Sequence, residues 1–188
     1  MELKARSEHS STRPDIRRAE FTEASAIAAL IESCYRGESA AQGWTSEANL
    51  VSGDRTSREE IESIIASPRS LLLVGVESEQ IIGCVKLEQR NSQEVFLGML
   101  CVHPTRQQQR FGSMLIARAE EAAHEHFDAE KIELWVLSGR DELIAWYERR
   151  GFSATGAMID FGEEVDPSLA LVNDLAFIVF QKSIARER

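Results

Sequence analysis

The chain reads as an α/β (α+β) fold: a mixed, mainly antiparallel central sheet with one parallel crossover, flanked by about four helices. Two observations lead there. Three apolar runs, 70–76, 81–88 and 94–102, are joined by short polar turns and read as an antiparallel meander. A helical pattern over 113–127 then lies between the strand ending at Val102 and a short apolar strand at 132–136, which predicts a parallel crossover. At 188 residues the chain is long enough to bury a full core as one domain.

Residues 1–13 are polar and charged and read as a flexible tail, with one domain expected over 14–185. The first strand is expected at 16–19, and Thr22 is the candidate N-cap of the first helix. Ile27, Leu30, Ile31, Cys34 and Tyr35 recur at helical spacing, and Gly37 ends that helix. Residues 37–55, punctuated by Gly37, Gly43 and Gly53, read as a functional loop. Ser57 and Glu60 make a capping box for a second helix, which Pro68 stops. After the meander and the crossover, 141–150 reads as a helix stopped by Gly151. Two late strands follow, at 152–161 and 175–181, with an acidic irregular segment between them.

The formal charge of −10 argues against nucleic acid and anionic membrane as partners. Cys34, Cys84 and Cys101 are odd in number and have no CxxC spacing, so they read as reduced thiols of a cytoplasmic protein. No run is apolar for long enough to span a bilayer, and no metal site is expected. His124 and His126 are two apart on a helix and diverge, and His103 beside Pro104 reads as structural.

The densest signal is at 100–113. An apolar strand meets the His103-Pro104 break, a polar loop follows, and a helix starts near Gly112-Ser113. Unpaired backbone N–H groups at such a helix start form a phosphate site. There is no Lys-Ser/Thr after the glycine, which disfavours a nucleotide P-loop.

Two motifs carry a resemblance to the GNAT superfamily of N-acetyltransferases. One is Gln107-Gln108-Gln109-Arg110-Phe111-Gly112-Ser113, which resembles the family's Gln/Arg-x-x-Gly-x-Gly/Ala pyrophosphate loop. The other is Tyr147-Glu148-Arg149-Arg150-Gly151-Phe152, similar to its Tyr-Glu-x-x-Gly-Phe helix end. The order of elements agrees from about residue 15 to 183. The resemblance implies acetyl-CoA as co-substrate, held by Leu100, Cys101, Val102 and residues 107–113, with Tyr147 as general acid. Arg110 stands where the family has its first glycine, and either adds a charged phosphate contact or weakens binding. Arg140 stands where an asparagine is frequent near the cofactor.

The chemistry sets three demands. The Leu100 N–H is placed to polarise the thioester carbonyl. A phenol near pKa 10 protonating a thiolate near 8.5 is uphill by only roughly 2 kcal/mol, which suits Tyr147. The attacking amine must lose a proton, and Glu47, Glu94 and Glu88 are the candidate bases. Cys101 beside the thioester is the candidate for a covalent route, though a buried strand cysteine is the commoner occupant; Trp146 and Phe152 are expected in the core. Trp44, Glu47, Asp54 and Arg55 are the candidate acceptor pocket, and Arg106 a further cation near the loop.

The expected function is acetyl transfer from acetyl-CoA to a primary amine, of a small molecule, by direct attack in a ternary complex. The alternative is a non-catalytic acyl-CoA sensor on the same fold. A homodimer through the late strands is a family-level expectation.

Overall fold

The structure is a computed structural model that describes residues 14–36, 40, 43, 47–107 and 109–184. Trp44, Gln108 and the proposed tail at 1–13 lie outside the described residues. In chain order the elements are β1 (Asp15–Arg18), α1 (Ala24–Tyr35), α2 (Arg58–Ala66), β2 (Ser70–Glu77), β3 (Gln80–Gln89) and β4 (Glu94–Val102). They continue as α3 (Phe111–Phe127), β5 (Lys131–Leu137), α4 (Asp141–Glu148), β6 (Ser153–Asp160), the short α5 (Phe161–Glu164) and β7 (Ala176–Ser183). The strands make one sheet in the order β1-β2-β3-β4-β5-β7-β6. Only β4 and β5 pair in parallel; the other neighbours are antiparallel.

The helix starts follow local chemistry. Ser57 caps α2 through the Glu60 N–H, as its sequence spacing requires. Thr22 does not cap α1. A 3-10 turn over Phe21–Glu23 precedes that helix, and Glu20 and Glu23 cap each other's backbone across it. The Glu23 carboxylate also receives a bidentate pair from Arg17, which outcompetes a lone threonine hydroxyl.

Two cores sandwich the sheet. α3 and α4 cover one face over Val85, Leu87, Val95, Leu97 and Leu134. α1 and α2 cover the other over Leu72, Val74, Cys84, Met99 and Cys101. A side chain such as Leu115, fully buried in the first core, contributes roughly 2 kcal/mol.

β4 carries an irregularity that the sequence does not announce. Val95 and Leu97 enter the α3 core, whereas Met99 and Cys101 enter the α1 core. Strict alternation would put all four on one face. Cys84 opposes Cys101 and Lys86 opposes Gly98, so Val85 faces two residues of β4. This is a β-bulge, and Met99 takes the left-handed conformation in it, at φ 52°. The bulge turns Leu100 and Val102 toward the α3 side.

Candidate active site

β4 and β5 pair only at their starts, from Glu94–Lys131 to Phe96–Glu133. Beyond Phe96 the two strands part. The β4 edge from Leu97 to Val102 then has no partner in β5, and cavities open on both sides of the split.

The first cavity, about 270 Å³, is walled by Leu100, Cys101 and Val102 of β4, the start of α3, and Trp146, Tyr147 and Arg150 near the end of α4. α3 begins without a side-chain cap and without an acidic residue in its first turn. The Ser113 and Met114 N–H groups donate to the Arg110 carbonyl, whereas those of Phe111 and Gly112 have no partner among the described residues and can meet an anion. Arg110 precedes the helix at φ 61°, ψ 7°, the left-handed conformation that glycine adopts without cost. Its guanidinium forms no ion pair among the described residues.

Arg150 supplies a second cation here. Its guanidinium donates to the Ser113 hydroxyl at 2.6 Å and to the Trp146 carbonyl at 2.7 Å, and lies 3.5 Å over the Trp146 ring. No carboxylate meets it among the described residues, and its buried Nε has no partner. Burial, then neighbouring Arg149, lower its pKa. Trp146 packs against the core as expected, but at its edge. It is half-buried between Arg150 and the start of α3, where a Cβ on Gly112 would come within 3.2 Å of its ring. Phe152 is in the core as expected.

The second cavity, about 430 Å³, lies over β3, β4 and β5 and is bounded by Arg36, Glu47, Asp54, Arg55 and the 161–169 segment. Its size is that of a small-molecule site. Glu47 is held between two guanidiniums: Arg140 binds one oxygen at 2.8 Å and Arg36 the other at 2.9 Å. Glu88 pairs with Lys86 at 2.8 Å, which lowers its pKa.

The cavities meet at Leu100, Arg140, Leu143 and Tyr147. The Tyr147 phenol has no hydrogen-bond partner among the described residues. Burial pushes its pKa well above the ordinary phenol range, against the opposing pull of Arg140 and Arg150. From α1, Tyr35 donates to the Leu100 carbonyl at 2.8 Å and so fixes that peptide.

The expected residues fare unevenly. Leu100, Cys101, Val102, Gln107, Arg110, Phe111, Gly112, Ser113, Arg140 and Tyr147 line the first cavity, while Gln109 is exposed outside it. Gln107 donates to the Val102 carbonyl at 3.1 Å. Glu94 is not brought to Tyr147. It sits at the far end of β4 beside Lys131 and Gln181, where the strands are still paired. Arg106 pairs with Glu77 rather than facing the first cavity. The Cys101 thiol is drawn down by Cys34, but Cys84 and burial outweigh this and hold it well above the ordinary range. A thiol kept protonated is a poor nucleophile.

Sequence reasoning missed Arg150, Tyr35 and the Met99 bulge. Only Arg150 had an available signal, a second arginine directly before the helix-ending Gly151.

Residues 31–152 match the acetyltransferase (GNAT) family. No curated protein matches the chain. Among solved structures, a GNAT acetyltransferase from Streptococcus pneumoniae superposes at TM-score 0.66 with 18% identity, covering 92% of this chain and 100% of that one. An aminoglycoside 6′-N-acetyltransferase complexed with coenzyme A gives 0.69 at 16% identity, covering 93% and 99%. A ribosomal-protein alanine N-acetyltransferase from Escherichia coli gives 0.69 at 15%, covering 94% and 97%. Identities this low establish the shared fold, and the family match spans well over half of the sequence. The chain belongs to the GNAT family of acetyltransferases.

Proposed function

We propose that this protein transfers an acetyl group from acetyl-CoA to a primary amine of a small molecule, by direct attack in a ternary complex. One observation carries the reading: two cavities meet at Leu100 and Tyr147, along a β4 edge that β5 leaves unpaired. The uncapped start of α3 and the carboxylate-free Arg150 fit the diphosphate of the co-substrate. Acetyl-CoA supplies the acyl group as a thioester. The Leu100 N–H of β4 orients and polarises that carbonyl, and Tyr35 holds the adjoining Leu100–Cys101 peptide in place through its carbonyl.

The amine nitrogen bonds to the carbonyl carbon, the carbon–sulfur bond breaks, and one proton passes in net from amine to thiolate. Tyr147 donates a hydrogen bond to the departing sulfur. Its raised pKa favours hydrogen bonding over full proton release. Glu47, with both oxygens engaged by arginines, acts as an anchor between the 37–55 loop and α4. The ammonium loses its proton to water in the second cavity. Cys101 carries no acyl group, because burial among Cys34, Cys84 and the α1 core disfavours its thiolate. Three free, buried cysteines support a cytoplasmic location.

Calorimetric titration with acetyl-CoA, followed by a thiol-release assay over an amine panel, tests the proposal. Binding with release for one or more amines is expected. Binding without any release would instead favour the acyl-CoA sensor, and no binding would remove both readings.

A further inference from the structure

The charges of the second cavity point to a substrate class. Among the described residues, five basic and five acidic side chains line it, so this lining is formally neutral in a chain whose formal charge is −10. A polycationic acceptor would favour an acidic cavity. Arginine and lysine are instead concentrated here, and every one but Arg55 faces a carboxylate: Arg36 and Arg140 share Glu47, and Lys86 and Arg90 share Glu88.

Arg55 has no ion pair among the described residues. It is nevertheless held in place. Its backbone N–H and that of Thr56 both donate to one Glu32 oxygen, at 2.6 and 2.7 Å. Its guanidinium stands 5.3 Å from the centre of the Tyr35 ring, the same Tyr35 that donates to the Leu100 carbonyl. A positioned, half-buried guanidinium without a counter-ion, next to the reacting strand, is an anion site. Asp54 and Glu164 also line the cavity, and neither pairs with a basic side chain among the described residues. They can receive an ammonium.

Resting on the acetyltransferase reading, we infer that the acceptor is an amine that also carries a carboxylate, an amino acid in chemical class, with Arg55 binding the carboxylate. Such a zwitterion matches a neutral cavity. A phosphomonoester, with about −1.5 to −2 charge, would leave an excess of negative charge.

The test is calorimetry on the full chain in the presence of CoA, using each proteinogenic L-amino acid and its α-carboxamide. At least one acid should bind at least about tenfold more tightly than its amide, as expected for a charge-assisted pair. In Arg55→Gln that preference should collapse while affinity for the amide stays unchanged; Arg55→Lys should keep part of it. Amides binding as well as acids, a preference that survives Arg55→Gln, or no binding by any acid overturns the inference. Thiol release on the same samples separates the two readings. Selective binding without release counts against acetyl transfer and supports the anion site. Release from amines lacking a carboxylate, at equal kcat/KM, supports acetyl transfer and overturns the anion site.

Discussion

The ring of Phe111 lies across Gly75, so closely that a Cβ on that glycine would stand 2.1 Å from the ring. Gly83 on β3 is covered in the same way, at 2.7 Å. Phe111 is the first residue of α3, so two glycines in the sheet set the height at which the anion-binding helix start is docked. Gly75→Ala should therefore displace Phe111. The expected cost is about 1–3 kcal/mol of stability by denaturant titration, with weaker CoA binding by calorimetry. Unchanged affinity would mean that the helix start is positioned by other contacts.

Arg150 is held by Ser113 and Trp146 with its Nε buried and unpartnered. No carboxylate balances this half-buried cation among the described residues. Arg150→Gln should leave stability within about 1 kcal/mol of the parent and weaken CoA binding roughly tenfold, as for loss of one charged hydrogen bond. The salt dependence of binding should also become shallower. A variant that loses stability but keeps its CoA affinity would make Arg150 a structural residue.

Glu47 is about nine-tenths buried between Arg36 and Arg140. Glu47→Gln would leave two guanidiniums without their shared counter-charge, at a cost of about 3 kcal/mol. Loss of stability together with a raised acceptor KM is expected from an anchor. A base would instead show as a lowered kcat in a variant of parental stability.

How much of this site the sequence discloses depends on the range of the forces involved. The meander, the crossover helix and the start of α3 were legible because alternation, helical periodicity and turn chemistry are local. Ser57 disclosed its cap for the same reason. Thr22 misled, because the bidentate Arg17–Glu23 pair that overrides it joins a strand to a turn. The Met99 bulge has no local signal at all. It exists because β3 and β4 pair with one residue in excess, which only the assembled sheet determines. Glu94 starts β4, as the sequence indicates, but parallel pairing to β5 closes that end of the strand and keeps the carboxylate away from the split, which only the assembled sheet determines.

A direct mechanism requires that Cys101 carry no acyl group. Cys101→Ala should retain turnover within a few-fold, with no acyl-protein species in intact mass spectra after mixing with acetyl-CoA alone. A trapped acyl adduct on the parent protein, absent from the variant, would show a covalent route.

Tyr147 stands where the two cavities join, with its phenol pKa raised by burial. The protonated phenol is the donor, and a raised pKa extends that form to higher pH. Activity should therefore show no alkaline loss from Tyr147 up to about pH 10, the ordinary phenol value, and should rise as the acceptor amine deprotonates. A falling limb with its midpoint below that value, lost on substitution of Tyr147, would reverse the assignment.

The most direct measurement is the turnover of Tyr147→Phe beside its CoA affinity. A fall in kcat of roughly 10²-fold is expected, with a calorimetric Kd for CoA within about twofold of the parent, since the phenyl ring keeps its packing on Trp146 and Phe152. Full turnover in that variant would contradict the role of Tyr147 as donor.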